Sequence, residues 1–227
     1  MEEGVFSLSP REGWVPLTEV PLLVLVGLTG AGKTTLAREL GFPTLPNRRE
    51  LTDHFVLGEP VIDRVERFRR VAAWREDHPG GLAELLAKGY VPANGLWLFD
   101  GLRGEGELEY ALKALPRARF LVLELDNETR LFRLLSRGDG FDRAKASGEL
   151  EQVARGVISK EALEKALRLA PIEEVERKLR IVAEEAKNYG YDGVRRVLSG
   201  SRRVLFLDAK KPVLELVQAV RRFLEQG

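Results

Sequence analysis

Residues 21–39 read PLLVLVGLTGAGKTTLARE, and this stretch constrains the fold more than any other. The branched apolar run at 22–26 has no polar face, which suits a strand covered on both sides. Gly27, Gly30 and Gly32 then open a loop ending in Lys33, Thr34 and Thr35, and the apolar stripe Leu36, Ala37, Leu40 starts a helix that Gly41 stops. Strand, glycine-rich loop and helix in this order fit the spacing GxxxxGK[ST]. Glycines let the backbone curl so that successive N–H groups point inward at an anion, and the following helix adds its positive N-terminal end. The set Gly27, Leu28, Thr29, Gly30, Ala31, Gly32, Lys33, Thr34 and Thr35 is therefore expected to hold a nucleoside triphosphate, with Lys33 on the β- and γ-phosphates and the Thr34 hydroxyl on magnesium.

A second buried strand, Leu96 to Phe99 by sequence, ends in Asp100, where a carboxylate would orient the water shell of that magnesium. A third strand at 120–125 is followed by Asp126 or Asn127 as the cap of a helix carrying Leu131, Leu134 and Leu135. A final strand at 204–207 and helix at 213–224 complete the alternation, which predicts an α/β fold with a parallel sheet flanked by helices.

Between these core pieces the chain departs twice. Residues 43–89 form a mainly helical excursion. Pro43 and Pro46 confine its start to a turn or short edge strand, and Val61, Val65, Phe68, Val71 and Trp74 mark a basic amphipathic helix. Residues 138–200 lack a strand-like run. Ser159 caps one helix there and Pro171 opens another, with opposite charges four apart, such as Glu176 with Arg180, on a solvated face. The expected organisation is an N-terminal extension (1–20), a core (21–137 and 201–227) and a helical lid-like insert (138–200).

Composition narrows the function classes. A net charge of +1 gives no global electrostatic case for nucleic acid, so such a partner is not expected. The chain has no cysteine and hence neither disulfides nor thiolate chemistry, and His54 and His78 are too isolated to make a metal site. Its apolar runs are too short to span a bilayer and its start is not signal-like, so a cytoplasmic location is expected.

A phosphate loop alone does not separate a kinase from a motor or a switch. Phosphoryl transfer between two bound substrates needs cations around the migrating group, and arginines on a mobile flap suit that need. Arg130, Arg133 and Arg137 recur on one helical face, and Arg143 follows in a glycine-containing segment. With GLTGAGKTT at 27–35, FDGLR at 99–103 and RLLSRGDGFDR at 133–143, the sequence resembles P-loop small-molecule kinases of the adenylate kinase and dephospho-CoA kinase group. The resemblance implies a P-loop NTPase fold with about five parallel strands, Mg·ATP as phosphoryl donor, and a small-molecule acceptor bound over Arg48, Arg49 and Arg103. It also implies Arg137 and Arg143 as catalytic arginines, acting with Lys33 and Asp100.

Two readings follow. The first is an ATP-dependent kinase acting on a small anionic or phosphorylated acceptor. The second is a nucleotide-controlled ATPase or binding protein whose helical insert contacts a protein or RNA partner.

Overall fold

The computed structural model describes residues 4–62, 64–136 and 149–226. In chain order the elements are β1 (Trp14–Pro16), β2 (Leu22–Val26), α1 (Lys33–Leu40), α2 (Arg48–Leu51), α3 (Arg64–Asp77), α4 (Leu82–Ala87), β3 (Tyr90–Pro92) and β4 (Trp97–Phe99). They continue as α5 (Gly104–Ala114), β5 (Ala118–Glu124), α6 (Asn127–Leu135), α7 (Leu150–Ala154), α8 (Lys160–Leu169), α9 (Ile172–Tyr189), α10 (Tyr191–Leu198), β6 (Val204–Asp208) and α11 (Val213–Glu225). No helix of the described residues is long and apolar enough to cross a membrane.

The central sheet is parallel throughout, in the order β4-β2-β5-β6. A fifth edge is rudimentary. Thr44 bridges Leu98 in parallel, with Leu45 N–H donating to Leu98 O (2.8 Å) and Leu98 N–H to Pro43 O (2.8 Å). Pro43 can lend a carbonyl to this ladder, but neither it nor Pro46 has an N–H to extend it, which is why the expected five strands become four and a single bridge. The N-terminal segment builds a separate antiparallel ladder, β1 with β3, and sends Phe6 and Leu17 into the core.

Strand alternation sorts the core into two layers. Leu22, Val24, Val26, Trp97, Phe99, Phe120 and Val122 face α4, α5 and α10. Leu23, Leu25, Leu98, Leu121 and Leu123 face α1 and α11. Each fully buried Leu or Phe side chain contributes about 1.5–3 kcal/mol by leaving water. A third cluster lies beside the sheet, where Leu131 and Leu134 of α6 meet α7, α8 and Val175, Leu179 and Val182 of α9. The predicted caps form: Asp126 accepts from Thr129 N–H at the start of α6 and Ser159 from Ala162 N–H at the start of α8. Of the charge pairs foreseen on α9, Glu176 holds Arg180 at 3.0 Å.

The helical excursion is tied to the core by one buried carboxylate. Glu107 on α5 accepts from Arg48 Nη1 (2.7 Å) and Nη2 (2.9 Å), Arg75 Nη2 (2.9 Å), and the backbone N–H of Arg103 (2.8 Å). Its side chain is fully buried, so the arginines must balance its charge. A Cβ at Gly81 would lie 2.4 Å from Glu107 Oε1, which explains the glycine between α3 and α4. Glu107→Gln leaves two guanidinium groups without a counter-charge, and a loss of about 3 kcal/mol is expected in urea unfolding. A loss below about 1 kcal/mol would show that the excursion does not depend on this pairing.

Candidate functional site

The loop after β2 takes its shape from glycine at two positions. Gly30 and Gly32 sit at φ 88° and 93°, in the left-handed region that side chains with a Cβ disfavour. At Gly30 a Cβ would also come within 3.2 Å of the Arg130 carbonyl oxygen. Gly32 is the N-cap of α1 and has no side chain to cap it, so the first amides of the helix are available to an anion. The exposed Thr34 lies in that first turn.

Lys33 folds back over the loop. Its Nζ lies 3.4 Å from Leu28 O and 3.9 Å from Asp100 Oδ1, at the carboxyl end of the neighbouring strand β4. Burial lowers the Lys33 pKa and Asp100 works against that fall; burial likewise raises the Asp100 pKa, opposed by Lys33 and then Arg103. The pair is too far apart for a strong hydrogen bond, so each group retains capacity for a ligand between them.

The outer side of the loop is held from the helical segment. Glu185 near the end of α9 accepts the Thr29 N–H (2.7 Å) and the Thr29 hydroxyl (2.5 Å). It also accepts from Arg130 Nη2 (2.7 Å), and Arg130 is wholly buried. Arg130 Nε donates to Thr29 O at 2.9 Å, so both polar sides of the Thr29 peptide are tied down. Tyr191 at the start of α10 donates to Leu123 O (2.7 Å) and accepts the Leu28 N–H (3.5 Å). Arg133 reaches under the loop to the carbonyls of Gly30 (3.3 Å) and Ala31 (3.4 Å) and to Ala209 O (2.7 Å).

Lys33, Thr34 and Asp100 thus stand at the carboxyl ends of adjacent parallel strands, where open α/β sheets bind ligands. Arg103 joins them, half exposed, with Nη1 3.6 Å from Glu185 Oε1. Arg48 is engaged with Glu107 and donates to Gly101 O (2.7 Å), while Arg49 is exposed beside Asp53 at 3.6 Å. Arg137 and Arg143 lie outside the described residues. Arg130 and Arg133, which share one helical face, are spent on the loop's own carbonyls and on Glu185. Among the described residues no group of three or more His, Asp or Glu side chains could hold a metal without help from a ligand.

Glu185, Tyr191 and the buried role of Arg130 were not foreseen. Glu185 is one of many acids on a charged helix, and nothing in its spacing separates it from the solvated face. The one available signal was the Tyr189-Gly190-Tyr191 interruption of the helical stripe, which marks the point where the chain turns back to the core.

Among solved structures, the chain is similar to shikimate kinase from Acinetobacter baumannii in complex with shikimate. The identity is 19%, the match covers 92% of this chain and 96% of that one, and the TM-score is 0.49. It is also similar to a gluconokinase from Sinorhizobium meliloti, at 15% identity over 91% of this chain and 92% of that one, with a TM-score of 0.40. A third similar structure is the deoxyadenosine kinase from M. mycoides, at 12% identity over 90% and 98% of the two chains, with a TM-score of 0.45. No curated protein matches the sequence. A family model described as an AAA domain matches residues 23–154, from β2 with its phosphate loop through α7. That match spans more than half of the 227 residues, and the chain belongs to this AAA domain family.

Proposed function

We propose that the protein is an ATP-dependent, magnesium-requiring phosphotransferase acting on a small anionic or phosphorylated acceptor. The observation that carries this reading is the meeting of Lys33, Asp100 and Arg103 beside the uncapped first turn of α1, which supplies cations and N–H donors for a transferring phosphoryl group. Amides of residues 30–35 bind the β-phosphate, and Lys33 reaches the β- and γ-phosphates. Arg103, on the half-exposed turn after β4, attends the γ-phosphoryl group and the acceptor. Arg48 fixes that turn through Gly101 O, and Arg49 offers a more distant charge for an acidic acceptor. Arg137 and Arg143 are assigned the closing role of charge stabilisation and water exclusion.

Thr34 and Asp100 suit magnesium, since a hydroxyl and a carboxylate are the hard oxygen donors it prefers and the Asp100 carboxylate meets Lys33 only at 3.9 Å. Magnesium bound there would neutralise charge between the β- and γ-phosphates. Thr34 and Asp100 would orient its water shell, and Lys33 would keep the phosphate chain in line with the acceptor.

A second reading draws on the turn between α8 and α9, where Leu167, Leu169 and Ile172 are exposed. An apolar tip of this kind fits a nucleotide-controlled protein that contacts a partner through its helical arm. Replacing Leu169 and Ile172 with glutamate separates the two, because a kinase keeps its turnover and a partner-dependent protein loses its partner.

Lys33→Met should weaken Mg·ATP affinity about 10- to 100-fold while the circular dichroism of the fold is unchanged, because it removes a charged donor from the phosphate chain. Unaltered affinity in calorimetry would remove Lys33 from the site. Incubation of the full chain with labelled ATP and a panel of small hydroxyl and phosphate compounds should release ADP in step with one acceptor class. ATP binding without acceptor-dependent release from any class would count against a kinase.

A further inference from the structure

Glu185 puts a negative charge on the loop at Thr29, and a phosphate chain held by the loop would end at the loop's lysine. Lys33 marks that end, because its ammonium is the group that reaches the β- and γ-phosphates. Asp100 lies 3.9 Å from this ammonium, and Arg103, which leans toward Glu185 at 3.6 Å, and Glu185 itself both act on it electrostatically. The carboxylate oxygens of Glu185 are held by an N–H, a hydroxyl and a guanidinium, the donor types that bind phosphate oxygens.

Its two arginine partners differ. Arg130 is wholly buried, and its remaining donors go to Thr29 O and Asn127 Oδ1, so it cannot leave. Arg103 is 41% exposed and approaches Glu185 only to 3.6 Å, a contact loose enough to exchange. A terminal phosphate beside Lys33 would compete with Glu185 for Arg103.

We infer that Glu185 is a specificity-determining residue that sets the balance between nucleoside triphosphate and diphosphate. It holds Arg103 while the terminal phosphate is absent, and it opposes that phosphate when present. Specificity here is a difference of two affinities, so a charge at the terminal-phosphate end changes one and spares the other. The inference rests on the reading that the loop holds a nucleotide with its terminal phosphate at Lys33.

The test is calorimetric titration of the full chain with Mg·ADP and with the magnesium complex of an imido-bridged ATP analogue. Glu185→Gln keeps one acceptor oxygen for the Thr29 N–H and Arg130, turns the other oxygen into an NH2 donor that the Thr29 hydroxyl can accept, and removes the charge. It should raise the preference for triphosphate over diphosphate about 10-fold relative to the unaltered chain. Glu185→Asp keeps the carboxylate charge for Arg130 and draws it back from Arg103 by one methylene; it should raise the same ratio by a smaller factor, about 3-fold, and it decides the matter if Glu185→Gln does not fold. A Glu185 that served only to brace the loop would change both affinities by one factor. An unchanged ratio in the folded variants therefore overturns the assignment while leaving nucleotide binding intact. Failure of the unaltered chain to bind either nucleotide overturns the proposed function and this assignment with it.

Discussion

The wholly buried guanidinium of Arg130 is the contact on which the rest of the site depends. It touches Thr29 O, Asn127 Oδ1 and Glu185 Oε2, and so joins the phosphate loop, α6 and α9 at one point. An isolated charge at such depth would cost several kcal/mol of desolvation, and a single partner seldom recovers it. Here the cost is offset by a carboxylate and by backbone oxygens that would otherwise be unsatisfied. The loop's geometry is held by contacts within the protein, because Thr29 is engaged through its N–H, its carbonyl and its hydroxyl.

Two buried charge centres therefore flank the strand ends. Arg130 and Glu185 hold the loop side, and Glu107 with Arg48 and Arg75 holds the turn after β4. Arg103 stands between them. Its backbone N–H belongs to Glu107 and its guanidinium leans toward Glu185. The backbone of this residue is anchored while its side chain remains half exposed, which suits a cation that must follow a migrating group. The helical segment contributes to the core as well as to the site. Val194 and Leu198 of α10 pack in the layer with α5, and Tyr191 sits on the loop beside Leu123.

Much of this was legible in the residues because it is local. The two-sided burial of β2 and β5, the caps Asp126 and Ser159, and the glycines at Gly30, Gly32 and Gly41 all follow from patterning, steric and hydrogen-bonding rules that act within a few residues. Pro43 and Pro46 marked a turn or short edge strand for the same reason, and the structure gives a single bridge at Thr44. What could not be read were pairings across 156 positions, such as Thr29 with Glu185. An acid on a charged helix looks alike whether it faces water or a buried arginine. Arg130 and Arg133 share a helical face as expected, but that face meets the underside of the loop.

The central claim is that the amides of the first strand-to-helix turn grip a polyphosphate in a ring prepared by Arg130 and Glu185. Amide hydrogen exchange of the full chain, with and without Mg·ADP, measures this directly. The account predicts slowed exchange at residues 30–35 on adding nucleotide, with Thr29 already protected in its absence. Unchanged exchange across that turn, or protection confined to another part of the chain, would contradict it.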